Sequence, residues 1–163
     1  MDKPSTITYM VALDNGDPTR ESDFRDELYE LDAPFEGEGN AIFKSINRLS
    51  GIIWGDKNNA IAIDYWVKNR NEKTYLFNPS NVNQEPKIIY DRNYQDRYSD
   101  PGSFLTERNI YNKNVLKIES NSMILIGDGY SEKGQFPFID KLSLNDFSSN
   151  RIYNSSYTDK LED

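Results

Sequence analysis

The chain has 163 residues, with 27 acidic against 19 basic side chains and a formal net charge of -8. Such a field repels phosphate backbones and argues against a nucleic-acid partner. There is no histidine and no cysteine, which removes Ser-His-Asp catalysis, cysteine nucleophiles, disulfides, and the thiolate or imidazole sets that hold zinc. The length suits one ordinary domain. Aromatic residues make up 13% of the chain, which argues for a folded core. The mean hydropathy of -0.80 predicts a thin one. No apolar run approaches the ~18 residues of a membrane-spanning helix. The first residues, Met1-Asp-Lys-Pro-Ser5, lack the apolar stretch of a signal peptide.

Taken in order, the apolar runs are short and β-like. Thr6 to Leu13 alternates and ends at the turn cluster Asp14-Asn-Gly-Asp-Pro18. Polar Thr19 to Asp26 has room for a helical turn at most. Strands are then predicted at Glu27–Asp32, Asn40–Ile46, Gly51–Trp54, Ala60–Val67, Thr74–Phe77 and Lys87–Tyr90. The last set is Val115–Ile118, Ser122–Ile126, Phe136–Leu142 and Arg151–Tyr153. No stretch of a dozen residues sustains a helical apolar stripe.

These runs repeat. A long apolar strand is followed by a loop, then a strand ending in a turn, then a short closing strand. The turns are Asp32-Ala-Pro34, Asn78-Pro-Ser80 and Leu144-Asn-Asp146. The closing strands begin near Asn40, Pro86 and Asn150, 46 and 64 residues apart. The spacing brackets the ~40–50 residues of a propeller blade if the longer interval holds an insertion. The expected fold is therefore all-β: a partial β-propeller of about three four-stranded antiparallel blades, at 5–47, 48–92 and 112–157, with a polar inserted loop at 91–114. An ordinary β-sandwich is the alternative.

Chemistry is sparse. Lys57, Lys68 and Lys133 sit in polar turns or on alternating faces, where solvated lysine is expected rather than a base beside a serine. Asp14-Asn-Gly-Asp17 resembles the start of a calcium loop but lacks the later bidentate glutamate, and turn chemistry accounts for it. No catalytic residue, metal site or cofactor is expected. Paired carboxylates of a glycosidase have no distinguishing pattern among 27 acids. Tyr65, Trp66, Tyr75 and Phe77 are read as strand packing rather than as a carbohydrate or peptide platform. The unusual segment is Asp91 to Ser103, with Arg92 and Arg97 among aspartates and tyrosines. An arginine loop on a rigid scaffold binds a carboxylate bidentately, or is pinned by its own salt bridges.

Asp91-Arg92, then Asp96-Arg-Tyr-Ser-Asp-Pro-Gly-Ser103, then Thr106-Glu-Arg-Asn109 resemble the amino-terminal propeller of prolyl-oligopeptidase-type serine peptidases, most of all the glutamyl endopeptidase branch. Ala12–Asp17, Arg25–Gly37, Gly51–Asp56 and Pro137–Leu142 resemble further stretches in the same order, so the likeness runs from about Asp14 to Ser156. The resemblance implies a longer peptidase whose nucleophile, acid and histidine lie in an α/β-hydrolase domain outside this chain. It implies a propeller that gates access and helps to bind peptide substrates; Arg92 and Arg97 are the candidate substrate-binding residues on the arginine-loop reading above, since the family pattern matches these residues without giving their role. It also implies a fragment that lacks further blades and a hydrolase domain; exposed blade faces and sheet edges are then expected to meet those missing parts, to self-associate, or to rearrange into a half-open β structure. The chain is expected to be either cytoplasmic or, as the favoured reading, a piece of a periplasmic or exported parent without its targeting segment. The competing expectation is a free-standing protein-interaction module.

Overall fold

The computed structural model describes residues 6–156, and every regular element among them is a β-strand. The chain is all-β. It divides into two compact units, one reaching to Asn93 and one beginning at Tyr94.

The first unit holds two antiparallel meanders. One runs β1 (Thr6–Ala12), β2 (Asp26–Asp32), β3 (Asn40–Ser45); the other runs β4 (Arg48–Trp54), β5 (Ala60–Trp66), β6 (Asn71–Phe77), β7 (Lys87–Asn93). β-Branched and aromatic residues at alternate positions suit a pleated, half-buried ladder. The central strand β5 buries Ala60, Ile61 and Ala62 completely, and so reads as a continuous apolar run. Leu28, Ile42 and Phe43 of the first sheet meet Leu49, Ala60, Ala62, Tyr75 and Phe77 of the second in one core. Phe43 lies edge-on to Tyr75 at 5.2 Å and tilted on Phe77 at 4.9 Å. Each such buried side chain contributes about 1.5–3 kcal/mol. Tyr75 and Phe77 are thus core, as the sequence predicts.

Two polar networks lock the loops of this unit. In the first, Asn15 and Gly16 both take the left-handed conformation (φ 59° and 75°), turning Asp14 inward. Asp14 is wholly buried. It accepts from Arg25 at 2.7 Å, and its two oxygens accept from the single nitrogen Nη2 of Arg48 at 2.5 and 2.7 Å. Arg48 also donates to Asp26 at 2.6 Å, and Arg25 stacks on Trp66 at 3.8 Å. The carboxylate that opens the calcium-like sequence is therefore spent on arginines. Among the described residues no group of acidic side chains gathers as a metal set. In the second network, fully buried Asp64 accepts from Asn47 N at 3.0 Å, Asn47 Nδ2 at 2.9 Å and Tyr75 Oη at 2.8 Å.

The first network makes the fold acid-sensitive. Burial alone would raise the Asp14 pKa, but hydrogen bonds from Arg48 and Arg25 outweigh it and hold the carboxyl below its ordinary value. The unfolded chain then binds more protons than the folded one as pH drops. Stability is complete above the unfolded aspartate value of about 3.9 and is lost as pH falls through the lower folded value. Urea midpoints measured from pH 7 downward should fall below about pH 4. Asp14→Asn should be less stable at pH 7 and should lose less on acidification; an unchanged pH slope in that variant would refute the assignment.

The second unit is built on β12 (Ser122–Gly127), preceded by β8 (Ser103–Phe104), β9 (Thr106–Arg108), β10 (Asn114–Leu116) and β11 (Ile118–Glu119). It is followed by β13 (Tyr130–Ser131), β14 (Gly134–Gln135), β15 (Phe138–Ser143) and β16 (Ser149–Asn154). β8 and β11 both pair antiparallel with β12, which continues to β15 and β16. Leu105 bridges the two short pieces, donating to Ile124 O and accepting from Lys117 N. They act as one first strand, interrupted by the β9–β10 hairpin. Met123, Leu125 and Leu142 are the buried centre.

Closing strands begin at Asn40, Lys87 and Ser149, and the sheets are antiparallel meanders, as a partial propeller repeats them. Two details differ from expectation. The first sheet has three strands among the described residues, not four. The polar segment read as loop from Asp91 is strand to Asn93, and strand again at Ser103–Phe104 and Thr106–Arg108. The reason is cross-strand pairing: Asp91 faces Lys73, Arg92 faces Glu72 and Asn93 faces Asn71. Opposite charges across a ladder satisfy residues that look loop-like in one dimension.

Candidate functional site

Arg92 belongs to the first unit and Arg97 to the second. Arg92 projects from β7, mostly buried, with its Nε 3.2 Å from Glu72 on β6. Below it in the same ladder, Asp91 accepts from Lys73 and, at 2.6 Å, from Asn71. The Lys73 hydrogen bond is the main cause of the lowered Asp91 pKa. This arginine is engaged with the sheet.

Arg97 stands on the exposed loop before β8. The loop is shaped by its own aspartates: Asp96 accepts from Tyr98 N at 3.0 Å and Asp100 from Gly102 N at 2.9 Å. These are Asx turns, which is why aspartate precedes each bend. Gly102, at φ 86°, passes so close to Ile126 that a Cβ would lie 2.4 Å from its carbonyl oxygen. The Arg97 guanidinium lies over the Tyr130 ring, 3.5 Å from its centroid. Stacking occupies the flat face of the cation and leaves its N–H edge for an acceptor.

Tyr130 is held out by the β13–β14 hairpin, closed by Phe136 N donating to Gly129 O at 2.9 Å. Beside it opens a cleft of about 350 Å³, walled by Tyr98, Asp100, Tyr130, Phe138, Arg151 and Asn154. Arg151 crosses from β16 to Asp140 on β15, reaches Asn154 Oδ1 at 2.8 Å, and lies over Phe138 at 3.8 Å. Two arginines, each laid on an aromatic ring, therefore belong to one neighbourhood of this unit. The arrangement suits a carboxylate attached to an extended or apolar body.

The sequence singles out Arg97 but not Tyr130, Phe138 or Arg151, which the structure brings into its neighbourhood. They lie more than 30 residues on, and only the meander brings them back. A wider apolar cleft of about 500 Å³ opens in the first unit between β3 and the β6–β7 ladder, near Phe43, Phe77 and Ile88. It holds no comparable pair of cations. Lys57, Lys68 and Lys133 are exposed, as expected.

Fold and site together define a β-sheet scaffold with an aromatic-walled cleft lined by Arg151, Asp100 and Asp140, beside the Arg97–Tyr130 stack. The chain is 33% identical over 161 residues to the probable chloroplastic glutamyl endopeptidase of Oryza sativa subsp. japonica, covering 94% of this chain and 17% of that protein. It is 33% identical over 162 residues to the protein of the same name from Arabidopsis thaliana, with the same coverage. The chain thus spans about a sixth of the length of these relatives, and is related to a segment of them. No family model matches the chain, and no solved structure matches it.

Proposed function

We propose that this chain is a non-catalytic propeller segment of a serine peptidase of the glutamyl endopeptidase kind, where it gates or binds peptide substrates. The observation that supports this best is the likeness along 94% of the chain to 17% of proteins so named, in a sequence without histidine. In this reading the catalytic residues lie elsewhere in a longer polypeptide. Arg97, presented on Tyr130, is the residue that reads an acidic side chain; Arg92, engaged by Glu72, stiffens the ladder.

The purified chain should leave a glutamate-containing reporter peptide uncleaved, and cleavage would overturn the non-catalytic assignment. The same peptide should bind more tightly than its glutamine counterpart by calorimetry. Arg97→Ala should weaken the glutamate peptide about tenfold, the value of one hydrogen bond to a charged group, and leave the glutamine peptide unchanged. Equal affinity of the two peptides would reject the acidic-substrate role. The apolar cleft of the first unit favours a second reading, a protein-interaction module. A hydrolase domain with Gly-x-Ser-x-Gly downstream in the gene would decide for the first.

A further inference from the structure

Arg97 and Arg151 share a neighbourhood, yet they leave different parts of themselves open. A guanidinium is recognised along its N–H edge, which takes acceptors, or across its flat face, which takes rings. Arg97 has one face on Tyr130, 3.5 Å from the ring centroid, and its edge makes no hydrogen bond or ion pair among the described residues. Arg151 is the reverse case. Its Nε donates to Asp140 Oδ1, its Nη2 to Asp140 Oδ2 at 3.2 Å and its Nη1 to Asn154 Oδ1 at 2.8 Å. All three nitrogens are engaged. One face covers Phe138, 3.8 Å from the ring centroid. The side chain is nonetheless 46% exposed. With the edge and one face covered, the opposite face is what remains open, and Arg151 lines the cleft together with Tyr98, Tyr130 and Phe136.

The ladder fixes this orientation. Arg151 on β16 stands directly opposite Asp140 on β15, and the Asp140 side chain is only 13% exposed. A two-point pair between facing strands holds the guanidinium plane. A ring laid on that plane meets a surface already ordered for it, so little freedom is lost on binding. A carboxylate brought to the same place meets Asp140 and finds no open N–H. An aliphatic side chain buries area there but gains nothing from the cation.

We propose that Arg151 is a second recognition residue of this cleft and takes an aromatic side chain of the bound peptide, so that its substrates carry an acidic residue for Arg97 and an aromatic residue for Arg151. The acidic half rests on the reading of Arg97 given above; the aromatic half stands on Arg151 alone. Tyr130 joins the two, because the ring beneath Arg97 is also a wall of the cleft. Alternate side chains of an extended peptide face one surface, so the aromatic residue stands two positions from the acid. The Arg151 cation then lies between two rings, Phe138 and that of the substrate.

Calorimetry with the whole chain and three capped peptides tests this: Phe-Ala-Glu-Ala-Phe, Leu-Ala-Glu-Ala-Leu and Phe-Ala-Gln-Ala-Phe. Phenylalanine on both sides removes any dependence on chain direction, and leucine controls for apolar burial alone. The first peptide should bind about fivefold more tightly than the second, the size of one cation–π contact at a half-exposed site. Arg151→Lys keeps a charge opposite Asp140 but has no flat face. It should erase the phenylalanine preference and keep the preference for glutamate over glutamine. Equal affinity for the phenylalanine and leucine peptides, or a phenylalanine preference that survives Arg151→Lys, overturns the proposal. Loss of the glutamate preference alone overturns the acid-reading role of Arg97 and still supports Arg151 as the ring site. Failure of all three peptides to bind overturns both. Should the lysine variant unfold, nuclear magnetic resonance of the wild type decides. The phenylalanine peptide must move the Arg151 Nε–H resonance upfield by its ring current, and the leucine peptide must not; an unmoved resonance rejects the ring site.

Discussion

Replacing Asp64 with alanine is expected to lower the unfolding free energy by about 3–5 kcal/mol, read as a shift of the urea midpoint at constant slope. Asp64 is fully buried on β5, and three donors converge on it: Asn47 N, Asn47 Nδ2 and Tyr75 Oη. Asn47 and Tyr75 are themselves buried, so water cannot replace the lost acceptor. Each orphaned donor costs about 1–3 kcal/mol. The phenol illustrates the same environment: burial first, then its hydrogen bond to Asp64, pushes the Tyr75 pKa far up. Tyr75→Phe removes one donor along with its bond and should cost only about 1 kcal/mol. The network has a positional role. Asn47 lies in the connection between the first and second sheets, and its amide continues through Asn71, at 3.0 Å, to Asp91 on the strand that carries Arg92. A midpoint shift for Asp64→Ala no larger than that for Tyr75→Phe would show that the network does not organise this unit.

Gly129→Ala should be the most damaging glycine substitution, at about 4 kcal/mol or more. Gly129 sits at φ 66°, and a Cβ there would lie 1.8 Å from the carbonyl oxygen of Phe136. Backbone cannot yield as a flexible side chain can. The comparison is Gly16→Ala, at φ 75° with nothing within 4 Å of the new atom. That change meets only the left-handed penalty of about 1–2 kcal/mol. The difference between the two measures the close approach itself. It also reaches the candidate site, because Gly129 precedes Tyr130, the ring beneath Arg97. Thermal melts should show Gly129→Ala far below Gly16→Ala, and the surviving folded fraction should bind the glutamate peptide weakly. Equal melting temperatures would mean that the hairpin tolerates the methyl group and that the Tyr130 platform does not depend on it.

Much of the fold is legible in one dimension. Period-two apolar runs broken by Asn-Gly, Asp-Pro and Asn-Pro signals locate strands, because alternation and turn chemistry are local properties. The starts of the closing strands agree within a residue. Polar strands were harder. Asp91-Arg92-Asn93 and Ser103-Phe104 look like loop because their partners, Glu72 and Lys73 in one case and Ile126 and Leu125 in the other, are distant in sequence. Asp64 did leave a trace, as the one charge inside the apolar run Ala60–Val67. A lone acid in such a run calls for buried donors, although the sequence does not say which.

By itself the sequence determined that the chain is β-structured and acidic, that it lacks imidazole and thiol chemistry, and that its strands repeat. Those follow from composition and short-range pattern. Only the tertiary structure decided that Asp14 belongs to two arginines, and that Arg92 is engaged with Glu72 while Arg97 rides on Tyr130. Contacts between residues tens of positions apart depend on how strands are ordered in a sheet, and that order is set by burial of whole faces rather than by any local signal.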